Sequence, residues 1–441
     1  MKKILVLGAG LVSRPGVDYL LKQKNLTVTV ASRTVSKAEK LVKGHGNGRA
    51  MAVDVENKGQ VAGLIGAHDI VISLLPWIHH VQVAQLCLEH GKRMVTTSYV
   101  SEGMKKLDPA VKAKGLIFLN EIGVDPGIDH MSAMKIIHAV AAEGGKVLHF
   151  HSYCGGLPAP EDNNNPFGYK FSWSPRGVVL ASRNSARYLE NGKIVEIEGK
   201  NLFVNPKVEE IEELGKFEVY PNRDSVPYKE LYGLKDALTV IRGTYRNLGW
   251  CETLKKIVDL GLVDETPHAG LQGISFRQMT ASLVNAPADK NLKQATAIKL
   301  GLTAPSKIIE RLEWLGLFSD ETIPESTCLL DVLSARLQEK LFFKAGEKDM
   351  LILRHRFIVE NKDKSRDLIT STLIDFGIPG GDSSMARTVS LPMAIATRMI
   401  AEDRIALIGV QTPVHREIYE PVLRELETQG IKMAEKRIPQ K

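Results

Sequence analysis

Two groups of residues in this 441-residue chain have types and spacings that could do chemistry. The first opens at Gly8-Ala9-Gly10-Leu11-Val12-Ser13, the G-x-G-x-x-G spacing with Ser13 in place of the third glycine. Glycine is needed there because the turn is tight and the backbone must approach a pyrophosphate, which sits on the N–H groups opening the next helix. Ser32-Arg33-Thr34 lies at the end of the second expected strand, where NAD-binding folds usually carry an acid for the ribose 2′-hydroxyl. Two hydroxyls and a guanidinium suit a 2′-phosphate instead, since arginine offers a charge-assisted fork of donors. NADP(H) is therefore the expected cofactor.

The second group would act on a substrate. Tyr99 and Asp125 stand at the carboxyl ends of expected strands, where open parallel sheets bind ligands. Arg223 and Arg246 can each take a carboxylate bidentately. Asp125, Tyr99 or Cys154 could serve as general base if within hydrogen-bond reach, and the sequence does not choose among them. Three of them have a structural alternative: Asp125 as a helix cap, Arg223 as a surface ion pair, Cys154 as a small buried hydrophobe. His149 and His151 form a His-x-His pair, but no third ligand stands at a persuasive spacing, so no metal site is expected. His79 and His80 read as a helix start.

These residues need a frame. Apolar runs at 4–7, 26–31, 50–53, 69–75, 93–97 and 116–120 alternate with helical patterns, including 81–89 and 104–114, which predicts a parallel α/β sheet. Pro15 fits only the first turn of its helix, and Ser36 with Glu39 has capping-box spacing. After Asp125-Pro126-Gly127 the pattern predicts a helix over 131–141, a strand over 147–153 and loop over 155–168. Mixed strands and turns follow to about 246, then helices over 252–340, strands over 350–360 and 367–375, and a helix over 391–400.

Composition bounds the function classes. With 44% apolar and 25% charged residues the chain reads as globular, and no run reaches the ~20 apolar residues of a membrane helix. The apolar run Ile4–Leu7 is shorter than a signal-peptide core and reads as a first strand, so a cytoplasmic location is expected. Cys87, Cys154, Cys251 and Cys328 are too dispersed for a disulfide or zinc framework. The net charge of +7 is spread without a dense basic block, so nucleic acid is not an expected partner.

Several longer segments resemble the glutamate-forming saccharopine dehydrogenase (saccharopine reductase) family. They are Asn120 to His130, Tyr153 to Glu161, Gly168 to Ser174, Tyr220 to Ser225, Ile241 to Arg246 and Ser383 to Ala386. The resemblance implies a doubly wound Rossmann domain at 1–125, to which about 390–441 returns. It further implies a mixed α/β substrate and dimerisation domain at 126–251 and about 341–389, and a small helical domain at 252–340. It implies lysine metabolism, a homodimer, and interconversion of saccharopine with glutamate and 2-aminoadipate 6-semialdehyde, with NADP(H) as carrier. Beside Gly8 of the glycine motif, family cofactor contacts carry onto Gly10, Leu11, Val12, Ser13, Ser32, Arg33, Thr34, Asp54, Val55, Ser73, Thr97, Ser98, Asp125, Gly127 and Ser174. Substrate contacts carry onto Ser98, Tyr99, Asp125, Arg223, Thr244, Tyr245 and Arg246.

Two other readings compete. Carboxynorspermidine or carboxyspermidine dehydrogenase also reduces an imine with NADP(H), but its substrate has fewer carboxylates and should need fewer arginines. A non-catalytic NADP-binding redox sensor would be expected to lack Tyr99, Asp125 and the second-domain arginines, and all are present.

Overall fold

Short aliphatic runs such as Ile4 to Leu7 and Ile70 to Ile72 are fully buried at the centre of the first sheet, as expected of strands covered on both faces. In the computed structural model, which describes residues 1–440 apart from Ser174 and Ala304, the strands of this sheet are β1 (Lys2–Leu7), β2 (Leu26–Ser32) and the edge strand β3 (Gly48–Ala52). They continue in β4 (Ile70–Ser73), β5 (Arg93–Thr96) and β6 (Ile117–Leu119). The chain divides into two compact units, Met1–Val147 with Ile358–Lys441, and Leu148–Phe357.

The sheet of the first unit has the order β6-β5-β4-β1-β2-β3, extended beyond β6 by a three-residue strand, Gly409–Gln411. All its pairings are parallel. The chain moves outward from β1 in one direction, returns, and continues on the other side, which makes the sheet doubly wound with its reversal between β1 and β4. Helices α1 (Arg14–Leu21), α2 (Val35–Val42), α3 (Lys58–Gly66) and α4 (His80–Glu89) connect the strands. The fold is the expected α/β class. Pro15 occupies the first turn of α1, where its missing N–H has no intrahelical partner to lose.

Some local expectations are corrected. The capping box at Ser36 and Glu39 does not form, because α2 already begins at Val35 with Thr34 as its N-cap and Ser36 lies inside the helix. The helix expected over 104–114 is two short ones, Glu102–Lys105 and Asp108–Ala113, the second opened by Pro109. The helix expected from Leu391 begins at Ser384, capped by the Ser383 side chain accepting from the Ala386 N–H. That helix packs on α1, where Ser390 Oγ accepts from the Gly16 N–H at 2.9 Å. After β6, α5 (Ile128–Ala142) starts at the end of the Asp125-Pro126-Gly127 turn.

The second unit is built on a mixed sheet. Its strands are β7 (Lys146–Pro158), β8 (Lys207–Ile211), β9 (Gly215–Pro221), β10 (Thr239–Asn247) and β11 (Asp349–Glu360), ordered β8-β9-β10-β7-β11. β7 runs through Gly155 and Gly156 to Pro158, so the first four residues of the stretch expected as loop over 155–168 are strand. β10 pairs parallel with β7 and antiparallel with β9, which sets Thr244 between Cys154 and Tyr220, and Arg246 opposite Glu218. Helices from α6 (Trp250–Asp259) to Leu329–Lys340 share one apolar core with this sheet.

Candidate active site

The carboxyl ends of β1 to β6 gather the residues singled out in the first unit. After β1, the Ser13 hydroxyl donates to the Gly10 carbonyl at 2.7 Å and closes the turn before α1. A Cβ built on Gly10 would meet nothing within 4 Å. No internal contact therefore requires glycine there, and the open space suits close approach of an outside group such as a pyrophosphate. Leu11 and Val12 flank it, Leu11 exposed. These residues fit a dinucleotide.

Ser32 ends β2, and Arg33 and Thr34 follow it at the surface. Among the described residues no carboxylate pairs with Arg33. Asp54 and Val55 follow β3, where Asp54 Oδ1 accepts from the Glu56 N–H and the Val55 carbonyl from Gln82. Ser73 closes β4 and is fully buried. Thr97, Ser98 and Tyr99 continue β5. Ser174 lies outside the described residues.

The segment after β6 is tied tightly to the one after β5. The Tyr99 hydroxyl donates to Asp125 Oδ1 at 2.8 Å. Glu121, a non-glycine residue in the left-handed region (φ 58°), sends its backbone N–H to the Ser98 carbonyl at 3.1 Å. Its carboxylate accepts from the Val100 N–H at 2.8 Å and lies 2.7 Å from His130 Nε2. Tyr99 is thus gripped through both chain neighbours. The N–H groups of Gly127 and His130 are taken by Asp129 Oδ1. At Gly127 (φ 148°) a Cβ would fall 2.0 Å from the Gly123 carbonyl oxygen, so no side chain fits.

In the second unit, Arg246 is 6% exposed and its guanidinium lies over the rings of Tyr169 and Trp250, at 4.9 and 5.5 Å. Its Nη1 donates to the Tyr245 carbonyl. Arg246 Nε and the neighbouring Trp250 Nε1 are buried donors with no partner among the described residues. The cross-strand Glu218 does not neutralise the guanidinium by an ion pair; its two oxygens accept the Gly249 and Cys251 N–H groups that open α6. A buried cation with unfilled donors is costly unless an anion completes it, so the arrangement fits a carboxylate ligand.

Thr244, beside Cys154, accepts from Asn222 Nδ2 at 2.9 Å. By strand alternation Tyr245 points to the other face, where its hydroxyl donates to Glu209 at 2.8 Å and burial first, then Glu209, raise its pKa. Arg223 is exposed on the loop after β9, its carbonyl accepting from the Arg187 N–H. Cys154 is buried and unpaired by any disulfide. His149 Nδ1 is hydrogen-bonded to Thr239, and burial pushes His151 down to about 4.

The residue that sequence reading missed most clearly is His80. It opens α4 as expected, but it is also buried, with Nδ1 2.8 Å from Ser73 Oγ and Nε2 2.8 Å from Ser98 Oγ. Glu121 was missed too; its signal is a charge set between the apolar runs before and after it.

Strand order, Gly-rich turn and strand-end side chains together define a dinucleotide-binding α/β oxidoreductase. A family model described as the saccharopine dehydrogenase NADP binding domain matches residues 4–119, and one for the saccharopine dehydrogenase C-terminal domain matches 123–431. The saccharopine dehydrogenase [NADP(+), L-glutamate-forming] of Schizosaccharomyces pombe is 43% identical over 447 residues, covering 99% of each chain. The enzyme of the same name from Pyricularia oryzae is 41% identical over 445 residues, again covering 99% of each. The solved apo saccharopine dehydrogenase (L-Glu forming) of Saccharomyces cerevisiae superposes with a TM-score of 0.90 at 39% identity, covering 99% of this chain and 100% of that one. The chain belongs to the saccharopine dehydrogenase family.

Proposed function

We propose that this protein is an NADP(H)-dependent oxidoreductase that interconverts saccharopine with L-glutamate and 2-aminoadipate 6-semialdehyde, a step of lysine metabolism. Its full-length likeness to glutamate-forming enzymes gives the reaction. The observation in the structure that supports it best is the Tyr99–Asp125 hydrogen bond at the ends of β5 and β6. When bound, NADP⁺ supplies the hydride acceptor.

In the oxidative direction Asp125 takes the proton of the secondary ammonium, and Tyr99 holds that carboxylate in place. A hydride leaves the carbon that becomes the aldehyde, and water adds to the resulting C=N bond to release glutamate. Arg246 binds a substrate carboxylate in a fork, with Thr244 and Ser98 beside the ligand and Arg223 engaging a more exposed carboxylate. Cys154, buried beside Thr244, is a pocket wall or a second proton carrier in this reading. Gly8 to Ser13 carry the pyrophosphate, Ser32 to Thr34 the 2′-phosphate, and Asp54, Val55, Ser73, Thr97, Gly127 and Ser174 the remainder of the cofactor.

In the same reading residues 1–125 with about 390–441 form the cofactor domain. Residues 126–251 with 341–389 form the substrate and dimerisation domain, and 252–340 a helical one. The protein works as a cytoplasmic homodimer; its four cysteines are buried and joined in no disulfide among the described residues, which suits a reducing compartment. No described helix is long and apolar enough to cross a membrane.

The test is oxidation of NADPH in the presence of glutamate and the semialdehyde, which must depend on both. Cofactor choice supplies a second check. Arg33→Ala is expected to raise the KM for NADPH by roughly tenfold or more, the loss of a charged hydrogen bond to phosphate, and to leave the KM for NADH little changed. Equal use of NADH and NADPH by the unaltered protein would contradict the role of Arg33.

A further inference from the structure

His80 links the ends of two strands, and the direction of the protons along that link can be deduced. Burial first, and then the neighbouring His79, push the imidazole down to about 4, so the ring is neutral at neutral pH. One ring nitrogen then donates and the other accepts. Ser73 decides which. Its side chain is 0% exposed, and among the described residues its hydroxyl has no partner but His80 Nδ1 at 2.8 Å. A buried O–H needs an acceptor, and Nδ1 is the acceptor within reach.

Nε2 therefore carries the ring proton. It donates to Ser98 Oγ at 2.8 Å, in preference to Thr96 Oγ1 at 3.5 Å. Thr96 is occupied in any case: its hydroxyl donates to the Ser73 carbonyl at 2.9 Å and accepts the Ser98 N–H at 3.3 Å. Ser98 Oγ, already accepting from His80, must direct its own proton elsewhere. Ser98 is half-buried at the carboxyl end of β5, one residue before Tyr99.

We propose that His80 is a positioning residue that turns the Ser98 hydroxyl into a dedicated donor, aimed at a carboxylate or carboxamide oxygen of the bound ligand. This rests on the reading of Ser98 as a ligand contact. The oxygen can belong to a saccharopine carboxylate or to the nicotinamide carboxamide, and kinetics separate the two.

Two substitutions divide the link while keeping a buried polar group. The shorter amide of His80→Asn can still accept from Ser73 but does not reach Ser98, whereas His80→Gln can extend an N–H to Ser98. His80→Asn and Ser98→Ala should each lower kcat/KM by roughly ten- to thirtyfold, the scale of one directed hydrogen bond at a ligand. The double variant should be no worse than Ser98→Ala, and His80→Gln should stay close to the unaltered protein. A rise confined to the saccharopine KM assigns the acceptor to the substrate; one confined to the NADP⁺ KM assigns it to the carboxamide. Thermal melting of each variant confirms the fold. Unchanged kinetics in His80→Asn, losses that multiply in the double variant, or equal impairment by Asn and Gln would overturn the positioning role. Unchanged kinetics in Ser98→Ala would remove the ligand contact itself, and the positioning role with it.

Discussion

Asp125→Asn is expected to lower kcat for saccharopine oxidation by about 10²–10⁴, the range for losing a general base, with NADP⁺ affinity nearly intact. The substitution keeps the shape of the side chain and removes its charge and basicity. Tyr99 can still donate to the amide oxygen that replaces Oδ1, now 2.8 Å from its hydroxyl, so the segments after β5 and β6 should stay joined. The Gly127 and His130 N–H groups of the turn are held by Asp129 rather than by Asp125. A fall in kcat would therefore report chemistry rather than a loosened fold. Tyr99→Phe removes the orienting bond and should cost at least about tenfold, the scale of one hydrogen bond. Steady-state kinetics with both substrates, together with melting curves, check the pair. Near-normal kcat in a folded Asp125→Asn protein would pass the role to Tyr99 or Cys154.

Arg246→Ala should produce the largest loss of saccharopine binding. Each charged hydrogen bond to a desolvated carboxylate is worth about 1.5–3 kcal/mol, so losing even one arm of the fork should weaken affinity by about tenfold to over a hundredfold, and losing both by more. The site's burial makes this arginine the stronger of the two candidates. Arg246 is enclosed by Tyr169 and Trp250, whereas Arg223 stands at the surface, where water and salt screen its charge. Arg223→Ala is accordingly expected to have the smaller effect. Because truncation also leaves two aromatic rings without their cation, Arg246→Lys is the companion variant. It retains charge over the rings but not the planar fork, and should fall between the two. Calorimetric titration with saccharopine, with NADP⁺ binding as the control, measures both. Undiminished saccharopine affinity in both Arg246 variants would place this arginine outside the site.

The sheet and the cofactor turn were legible in the sequence because both are local. Ile4–Leu7 followed by Gly8-Ala9-Gly10 needs only a buried strand and a tight turn, and Pro15 marks its own position in α1. Topology placed Tyr99 and Asp125 at neighbouring strand ends, and the hydrogen bond between them agrees with that placement. What sequence reading lost was set by partners distant in the chain. Gly155 looks like a loop residue, but it lies inside β7, where a Cβ would come within 2.6 Å of the Tyr245 carbonyl oxygen on the neighbouring strand. His80 reads as a helix start because its two partners, Ser73 and Ser98, are seven residues before it and eighteen after it. The seventh parallel strand, Gly409–Gln411, is too short to carry a pattern and is defined by its pairing with β6. Ser36 and Glu39 show the opposite error, a correct local spacing overridden by a helix that begins two residues earlier.

The most direct test of the proposed reaction follows which C–N bond is broken. The purified protein would be incubated with saccharopine and NADP⁺, and NADPH, glutamate, lysine and 2-oxoglutarate measured in the same samples. The account predicts NADPH and glutamate appearing in equal amounts, with the semialdehyde trapped alongside and NAD⁺ a much poorer substitute. Release of lysine and 2-oxoglutarate, or no NADPH formed from saccharopine by a folded protein that binds NADP⁺, would contradict it.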